Sequence, residues 1–134
     1  MKKGYQALID EAMEGIETLP VEAAIALHDD PGVVFVDLRD VRELEREGMV
    51  PGAFHAPRGM IEFWVDPDSP YHKEIFASGK RFVFYCHAAW RSALATHQVQ
   101  EMGLAPVCHI AGGFDAWKKA GGPVGAKPER KKDS

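Results

Sequence analysis

The segment RFVFYCHAAWRSALATHQVQEMGLAPVCHI, residues 81–110, decides the fold. Its first six residues, 81–86, are mostly apolar without alternation, as in a strand buried on both faces of a parallel sheet. Apolar residues then recur at helical spacing over 92–102, and Gly103 stops the helix. A short strand is predicted at 106–110. A strand, a helix and a strand of these lengths predict a βαβ unit with parallel strands and a right-handed crossover.

Upstream, the stretch VVFVDL at residues 33–38 has the same apolar, β-branched character and predicts a second buried strand. Between this strand and residue 81 lies a long stretch rich in glycine and proline turn signals. Only two short patches there, 40–46 and 59–64, have a helical pattern. Long connections of this kind often carry functional loops, so we expect this stretch to wall a site.

The two ends of the chain add helices to this centre. Residues 5–14 form an amphipathic pattern that ends near Gly15. A second helix is predicted to run to about His28, with Thr18 as a candidate cap and Pro20 near its first turn. After the βαβ unit, a last short helix is predicted at residues 114–120.

Composition and charge place the chain in a broad class. Of its 134 residues, 46% are hydrophobic and 27% are charged, which is typical of a globular protein. No apolar run approaches the length of a membrane span, and the acidic residues that follow the basic start differ from a signal peptide, so we expect a cytoplasmic protein. The net charge of −4 argues against nucleic acid as a partner. Two cysteines make no disulfide framework, so free thiols are expected.

Chemistry is predicted at Cys86, at the carboxyl end of the central strand, where ligands bind in parallel α/β sheets. It precedes the loop 87–91 and the start of a helix, whose unpaired amides and dipole favour negative charge. Arg91 adds a full positive charge, so a thiolate should be favoured and an oxyanion could bind beside it. The residue types suit a nucleophile. An ordinary buried cysteine is the alternative, and the residues alone leave both readings open.

Three segments of the chain carry motifs in a fixed order. The first is VFVDLRDVRELEREGMVPGAFHAP at residues 34–57, with Asp37, Arg39, Glu43, Gly48, Pro51, Gly52, Ala53 and His55. The second is YCHAAWRSALA at residues 85–95, and the third is IAGGFDAWKKAGGPV at residues 110–124, with Gly112, Gly113, Trp117 and Pro123. In this order they resemble the early motif, the active-site loop and the C-terminal signature of rhodanese domains.

The resemblance implies an α/β fold with a central, mostly parallel sheet of about five short strands and helices on both faces. It spans roughly residues 16–124. Residues 1–15 are then an N-terminal helical extension, and residues 125–134, with their mixture of lysine, arginine, proline and acidic residues, are expected to form a flexible charged tail.

For function, the resemblance implies a sulfurtransferase. Cys86 would accept a sulfane sulfur from a donor such as thiosulfate, become a persulfide, and pass the sulfur to cyanide or a thiol of a protein or small molecule. Arg91 would bind the anionic group, and the loop would line the substrate through His87, Ala88, Ala89, Trp90 and Ser92. No cofactor is implied, and neither nucleic acid nor a membrane is expected as a partner.

Two alternatives remain open. Active members of the family often have glycine in the loop, whereas here its middle is occupied by Ala88, Ala89 and Trp90; if one of these positions needs a positive φ, its residue is strained. A non-catalytic binding module is therefore the second hypothesis. A phosphatase or arsenate reductase is less favoured, because the resemblance implies a loop one residue longer for those enzymes than the six residues from Cys86 to Arg91.

The remaining candidates are supporting residues. Asp37 and Arg39 are expected to support the loop, with a structural role favoured for both. Arg58 would lie beside the pocket mouth, or form a solvated surface pair with Glu62. Neither Cys86-His87 nor Cys108-His109 has the spacing of a zinc site, so no metal is predicted, and Cys108 is expected to be a small buried hydrophobe.

Overall fold

The computed structural model describes residues 1–129. Its strands, in chain order, are β1 (Glu17–Leu19), β2 (Val33–Asp37), β3 (Phe54–His55), β4 (Arg81–Tyr85) and β5 (Val107–Ile110). They form one five-stranded sheet in the order β1-β5-β4-β2-β3. Every neighbouring pair is parallel, and β4 at the centre pairs with both β2 and β5. The predicted parallel βαβ unit is confirmed.

Residues 1–129 contain six helices: α1 (Tyr5–Gly15), α2 (Val21–Ala26), α3 (Val41–Glu47), α4 (Ile61–Val65), α5 (Trp90–Met102) and α6 (Gly113–Lys119). Two short 3-10 turns lie at Arg58–Met60 and Glu74–Ala77. Helices α4 and α5 pack on one face of the sheet and α2 and α6 on the other, while α1 packs against α5. The expected α/β architecture, with helices on both faces, is confirmed.

The alternation of side chains along β2 explains why both faces are covered. Val34 and Val36 belong to the core beneath α4 and α5, whereas Phe35 belongs to the core beneath α2 and α6. In β4, Phe84 and Tyr85 divide in the same way. Successive side chains of a strand point to opposite faces, so a run without polar residues fits only a sheet that is buried on both sides.

One prediction at the N-terminus was wrong. Thr18 does not cap α2, because it lies in β1 and pairs with His109 of β5. Pro20 is the N-cap residue of α2, one position before its first turn. The sequence Glu17–Leu19 is too short for a strand pattern to be seen, and its extended conformation comes from pairing with β5 at the sheet edge.

Beyond α6 the chain returns to the early part of the domain. Gly125 forms an antiparallel bridge with Met49, through a hydrogen bond of 2.9 Å in each direction. Residues 130–134 of the predicted tail lie outside the described residues. Among residues 1–129, none of the helices combines the length and apolar character that crossing a bilayer requires.

Candidate active site

Cys86 lies directly after the central strand β4, at the carboxyl end of the sheet. Its residue surface is 1% exposed, so the thiol is held within the loop that joins β4 to α5. This position is where parallel α/β proteins place their ligand sites, because the loops that follow the strands meet there.

The sulfur of Cys86 accepts two backbone hydrogen bonds. The amide of Ala89 lies 3.2 Å from Sγ, and the amide of Ser92 lies 3.4 Å from it. Ser92 is the third residue of α5, so the sulfur satisfies an amide that a side-chain cap would normally satisfy. Two N–H dipoles that converge on the sulfur favour negative charge there.

The geometry of the loop depends on an unusual backbone conformation at Ala89. Its φ of 95° is the only positive φ of a non-glycine residue in the described chain. Alanine in this left-handed region is strained because its Cβ approaches a backbone carbonyl. The strain foreseen for an alanine in this loop therefore falls on the residue whose amide contacts the sulfur.

The start of helix α6 binds the loop through backbone hydrogen bonds. The amides of Phe114 and Asp115 donate to the backbone oxygens of Cys86 and His87 at 2.8 and 3.1 Å. Gly113 makes this approach possible, because a Cβ there would lie 2.5 Å from the oxygen of Cys86, and its φ is +61°. The C-terminal signature thus supports the loop through backbone contacts.

Arg91 forms a bidentate ion pair with Glu43, which lies in the first turn of α3. Nη1 and Nη2 of Arg91 donate to the two carboxylate oxygens at 2.7 and 3.0 Å. This hydrogen bonding lowers the pKa of Glu43 and raises that of Arg91. The arginine side chain remains 38% exposed, so it is oriented by Glu43 and still accessible from solvent.

Asp37 and Arg39 form a fully buried ion pair behind the loop, with Nη2 of Arg39 2.8 Å from the carboxylate. The same nitrogen donates to the backbone oxygen of Gly48 at 2.7 Å. The guanidinium carbon lies 4.3 Å from the ring centroid of Phe114, which follows Gly113 in α6. The pair therefore connects β2 to the helix that contacts the loop, consistent with the structural role that was favoured for both residues.

The outer side of the loop is open. His87 and Ala88 are exposed, and Trp90 is 57% exposed. The ring of Tyr5 in α1 lies with its centroid 5.0 Å from that of Trp90. An aromatic pair therefore lies on the outer side of the loop, and Tyr5 is a neighbour that sequence reasoning missed.

A buried polar chain lies beneath the loop and was also missed. Nδ1 of His109 is 2.9 Å from Oγ of Ser92, and Nε2 is 3.0 Å from Oγ1 of Thr18. His109 and Thr18 are cross-strand partners in β5 and β1. The only signal in the sequence was a histidine within a predicted buried strand, where a polar side chain must find partners.

Within residues 1–129, neither Arg58 nor Cys108 forms a hydrogen bond with the loop. Arg58 pairs with Glu62 at 3.1 Å on a half-buried surface, and none of its hydrogen bonds within residues 1–129 reaches residues 86–91. Cys108 is buried, and burial raises its pKa to about 11. Within the described part of the chain, no three His, Cys, Asp or Glu side chains come together in a way that could hold a metal ion.

Solved structures of other proteins are similar to this chain in fold. A solved structure from Rhodopseudomonas palustris, of a protein of unknown function that is called a possible tyrosine phosphatase, is 55% identical, with a TM-score of 0.91, and the match covers 93% of this chain and 96% of that one. A polysulfide-sulfur transferase from Wolinella succinogenes, solved as a homodimer, is 26% identical with a TM-score of 0.68, over 92% of this chain and 88% of that one.

Two curated relatives are similar in sequence to part of this chain. A sulfurtransferase from Allochromatium vinosum is 29% identical over 73% of this chain and 83% of its own length. An uncharacterized protein from Synechocystis is 31% identical over 73% of this chain, which spans only 50% of that relative. The family model of the rhodanese-like domain matches residues 20–120. Because this match extends from the start of α2 through the end of α6, the chain belongs to the family of rhodanese-like domains.

Proposed function

We propose that the protein is a sulfurtransferase that carries sulfur as a persulfide on Cys86. The observation that carries this proposal is that the sulfur of Cys86 accepts hydrogen bonds from the amides of Ala89 and Ser92. The cysteine begins a six-residue loop that ends at Arg91. Membership of the rhodanese-like family and the likeness to a sulfurtransferase from Allochromatium vinosum support it.

The chemistry requires two displacements at sulfur. In the first, the Cys86 thiolate attacks the outer sulfur of thiosulfate; a new S–S bond forms, the S–S bond of the donor breaks, and sulfite leaves with the electron pair. In the second, a thiophile such as cyanide or a thiolate attacks the outer sulfur of the persulfide, and the Cys86 thiolate leaves. The loop amides stabilise negative charge on sulfur in both steps, and Arg91 binds the anionic end of the donor.

The test is the intact mass of the protein after treatment with thiosulfate and removal of excess donor. The wild type should gain the mass of one sulfur, and cyanide should remove it. Cys86→Ser should gain nothing. The matched control is Cys108→Ala, which removes the other thiol and should load like the wild type. If the wild type takes up no sulfur from thiosulfate, polysulfide or an organic persulfide, the proposal is wrong.

A phosphatase is the second candidate, because the 55% identical protein from Rhodopseudomonas palustris is called a possible tyrosine phosphatase. The loop of six residues from Cys86 to Arg91 argues against it, since the resemblance to the larger fold group implies one residue more for a tetrahedral phosphate. Hydrolysis of an aryl phosphate that is lost in Cys86→Ser, without any sulfur loading, would favour the phosphatase over the sulfurtransferase.

A further inference from the structure

His109 is fully buried, yet both of its ring nitrogens have hydrogen-bond partners. Burial lowers the pKa of His109 to about 4, so the ring is neutral near neutral pH. A neutral imidazole has one donor nitrogen and one acceptor nitrogen. A chain of three side chains therefore runs from Thr18 through His109 to Ser92, under the loop that holds Cys86.

The available acceptors determine the direction of this chain. Oγ of Ser92 also lies 3.3 Å from the backbone oxygen of Ala89, which can only accept. With the proton on Nδ1, His109 donates to Ser92, Ser92 donates to Ala89, and Thr18 donates to Nε2. In the opposite tautomer Ser92 donates to Nδ1 of His109, so the oxygen of Ala89 loses the Ser92 hydroxyl as a donor. Thr18 then accepts from Nε2, and its own hydroxyl is left to donate to the sulfur of Met13, 3.8 Å away and a weak acceptor. The first arrangement makes more strong bonds.

The backbone of Ala89 links this chain to the thiol. The peptide group before Ala89 carries the amide that donates to the sulfur of Cys86, and the peptide group after it carries the oxygen that Ser92 contacts. The φ and ψ angles of Ala89 set the angle between these two groups. The Ala89 oxygen also accepts the amide of Ala93 at 3.0 Å, so the Ser92 hydroxyl adds a second hydrogen bond to it. Fixing the position of this oxygen fixes the direction of the Ala89 amide, at a residue with a φ of 95° that alanine rarely adopts.

We propose that His109, acting through Ser92, is a positioning residue that holds Ala89 in its left-handed conformation and keeps the Ala89 amide on the sulfur of Cys86. The inference deepens the proposed function, because it names what sets the geometry of the reactive thiolate. It assigns no contact between His109 and the substrate. The buried chain stabilises at Ala89 a positive φ that a glycine at this position would adopt without support.

The test compares His109→Asn with His109→Gln. The amide nitrogen of asparagine reaches the position of Nδ1 and can still donate to Ser92, whereas that of glutamine reaches the position of Nε2 and cannot. The readout is the rate at which iodoacetamide alkylates Cys86 at neutral pH, followed on the peptide that contains Cys86. His109→Gln should be slowed about threefold to tenfold, the factor for one lost hydrogen bond, while His109→Asn stays within about twofold of the wild type.

A second pair of variants keeps the histidine. Ser92→Ala removes the hydroxyl but keeps the amide that donates to the sulfur, and it should slow alkylation like His109→Gln. The same substitution in an Ala89→Gly background should slow alkylation less, because glycine adopts a positive φ without support. Alkylation needs no sulfur donor, so a failure of sulfur loading would affect only the proposed function. Equal rates for the asparagine and glutamine variants, or no effect of Ser92→Ala, would overturn the inference.

Discussion

At the scale of single residues, the ion pair with Glu43 sets the orientation of Arg91 at the end of the loop. The carboxylate takes one donor from each terminal nitrogen of the guanidinium. It leaves the remaining N–H groups of Arg91 for a ligand, because an arginine has five donors. Glu43 therefore orients the arginine at the cost of part of its positive charge.

We expect Arg91→Ala to raise the KM for thiosulfate by about tenfold or more and to change kcat less, because a charge-assisted hydrogen bond is lost. The unpaired Glu43 would also repel the anion. Steady-state transfer to cyanide measures both constants. Arg58→Ala is the matched control, since Arg58 is a comparably exposed arginine in an ion pair with a glutamate outside the loop. An equal rise in KM for both variants would contradict a binding role of Arg91.

The sequence alone predicted Cys86 and Arg91 as candidate site residues, because both belong to one short segment whose position after a buried strand could be predicted. It did not pair Arg91 with Glu43, which lies 48 positions away, nor Ser92 with His109. Such contacts depend on how α3 and β5 pack against α5, and no local pattern encodes that packing. Strain in the loop was predicted only for the case that one of its non-glycine residues has a positive φ. The spacing of the residues does not tell that this residue is Ala89.

At the scale of elements, backbone hydrogen bonds join the start of α6 to the cysteine loop. Two amides of the helix hold two carbonyl groups of the loop, and Gly113 lets the backbones approach. The helix was predicted from its sequence pattern, but its role in supporting the loop follows from the order of the sheet, in which β5 lies beside β4.

Gly113→Ala should separate these two elements. A left-handed alanine costs about 1–2 kcal/mol in itself, and the clash with the oxygen of Cys86 should add about 1–3 kcal/mol. Gly79→Ala is the matched control, because its φ is +74° but no atom lies within 4 Å of its added Cβ. Denaturant unfolding measures both losses. Sulfur loading should fall only in Gly113→Ala, and equal losses of stability would show that the close approach is unimportant.

Local patterns predicted the longer elements and missed the shortest ones. Strands β2, β4 and β5 and helix α5 were found within a residue or two of their observed bounds, because buried runs and helical spacing are strong signals. Strands β1 and β3 have three and two residues, and they exist because β5 and β2 offer free edges to pair with. Pairing of this kind is a property of the sheet, which a short segment cannot reveal.

At the scale of the whole molecule, the family match begins at residue 20, while β1 already belongs to the sheet. We therefore propose that the domain is formed by residues 16–124 and that α1 is an addition to it, packed on α5 with Tyr5 beside Trp90. In this arrangement the addition contacts the cysteine loop at Trp90 without contributing a strand.

The buried, neutral His109 also makes the stability of the whole fold depend on pH. Burial lowers its pKa from 6.5 to about 4 in the folded protein. Between these values the unfolded chain binds a proton that the folded chain does not, so the free energy of unfolding falls as the pH falls from about 6.5 to about 4. Below that range no further loss comes from this group. The total loss should be about 3 kcal/mol.

The measurement is denaturant unfolding of the wild type and His109→Gln across this pH range. Contributions from the other five histidines and from the carboxylates cancel in the difference between the two proteins, because both retain those groups. The stability of the wild type relative to the variant should decline steadily below about pH 6.5, since glutamine does not titrate. A difference that stays constant with pH would mean that His109 accepts a proton in the folded state as readily as in the unfolded chain, and that the chain from Thr18 to Ser92 does not require a neutral ring.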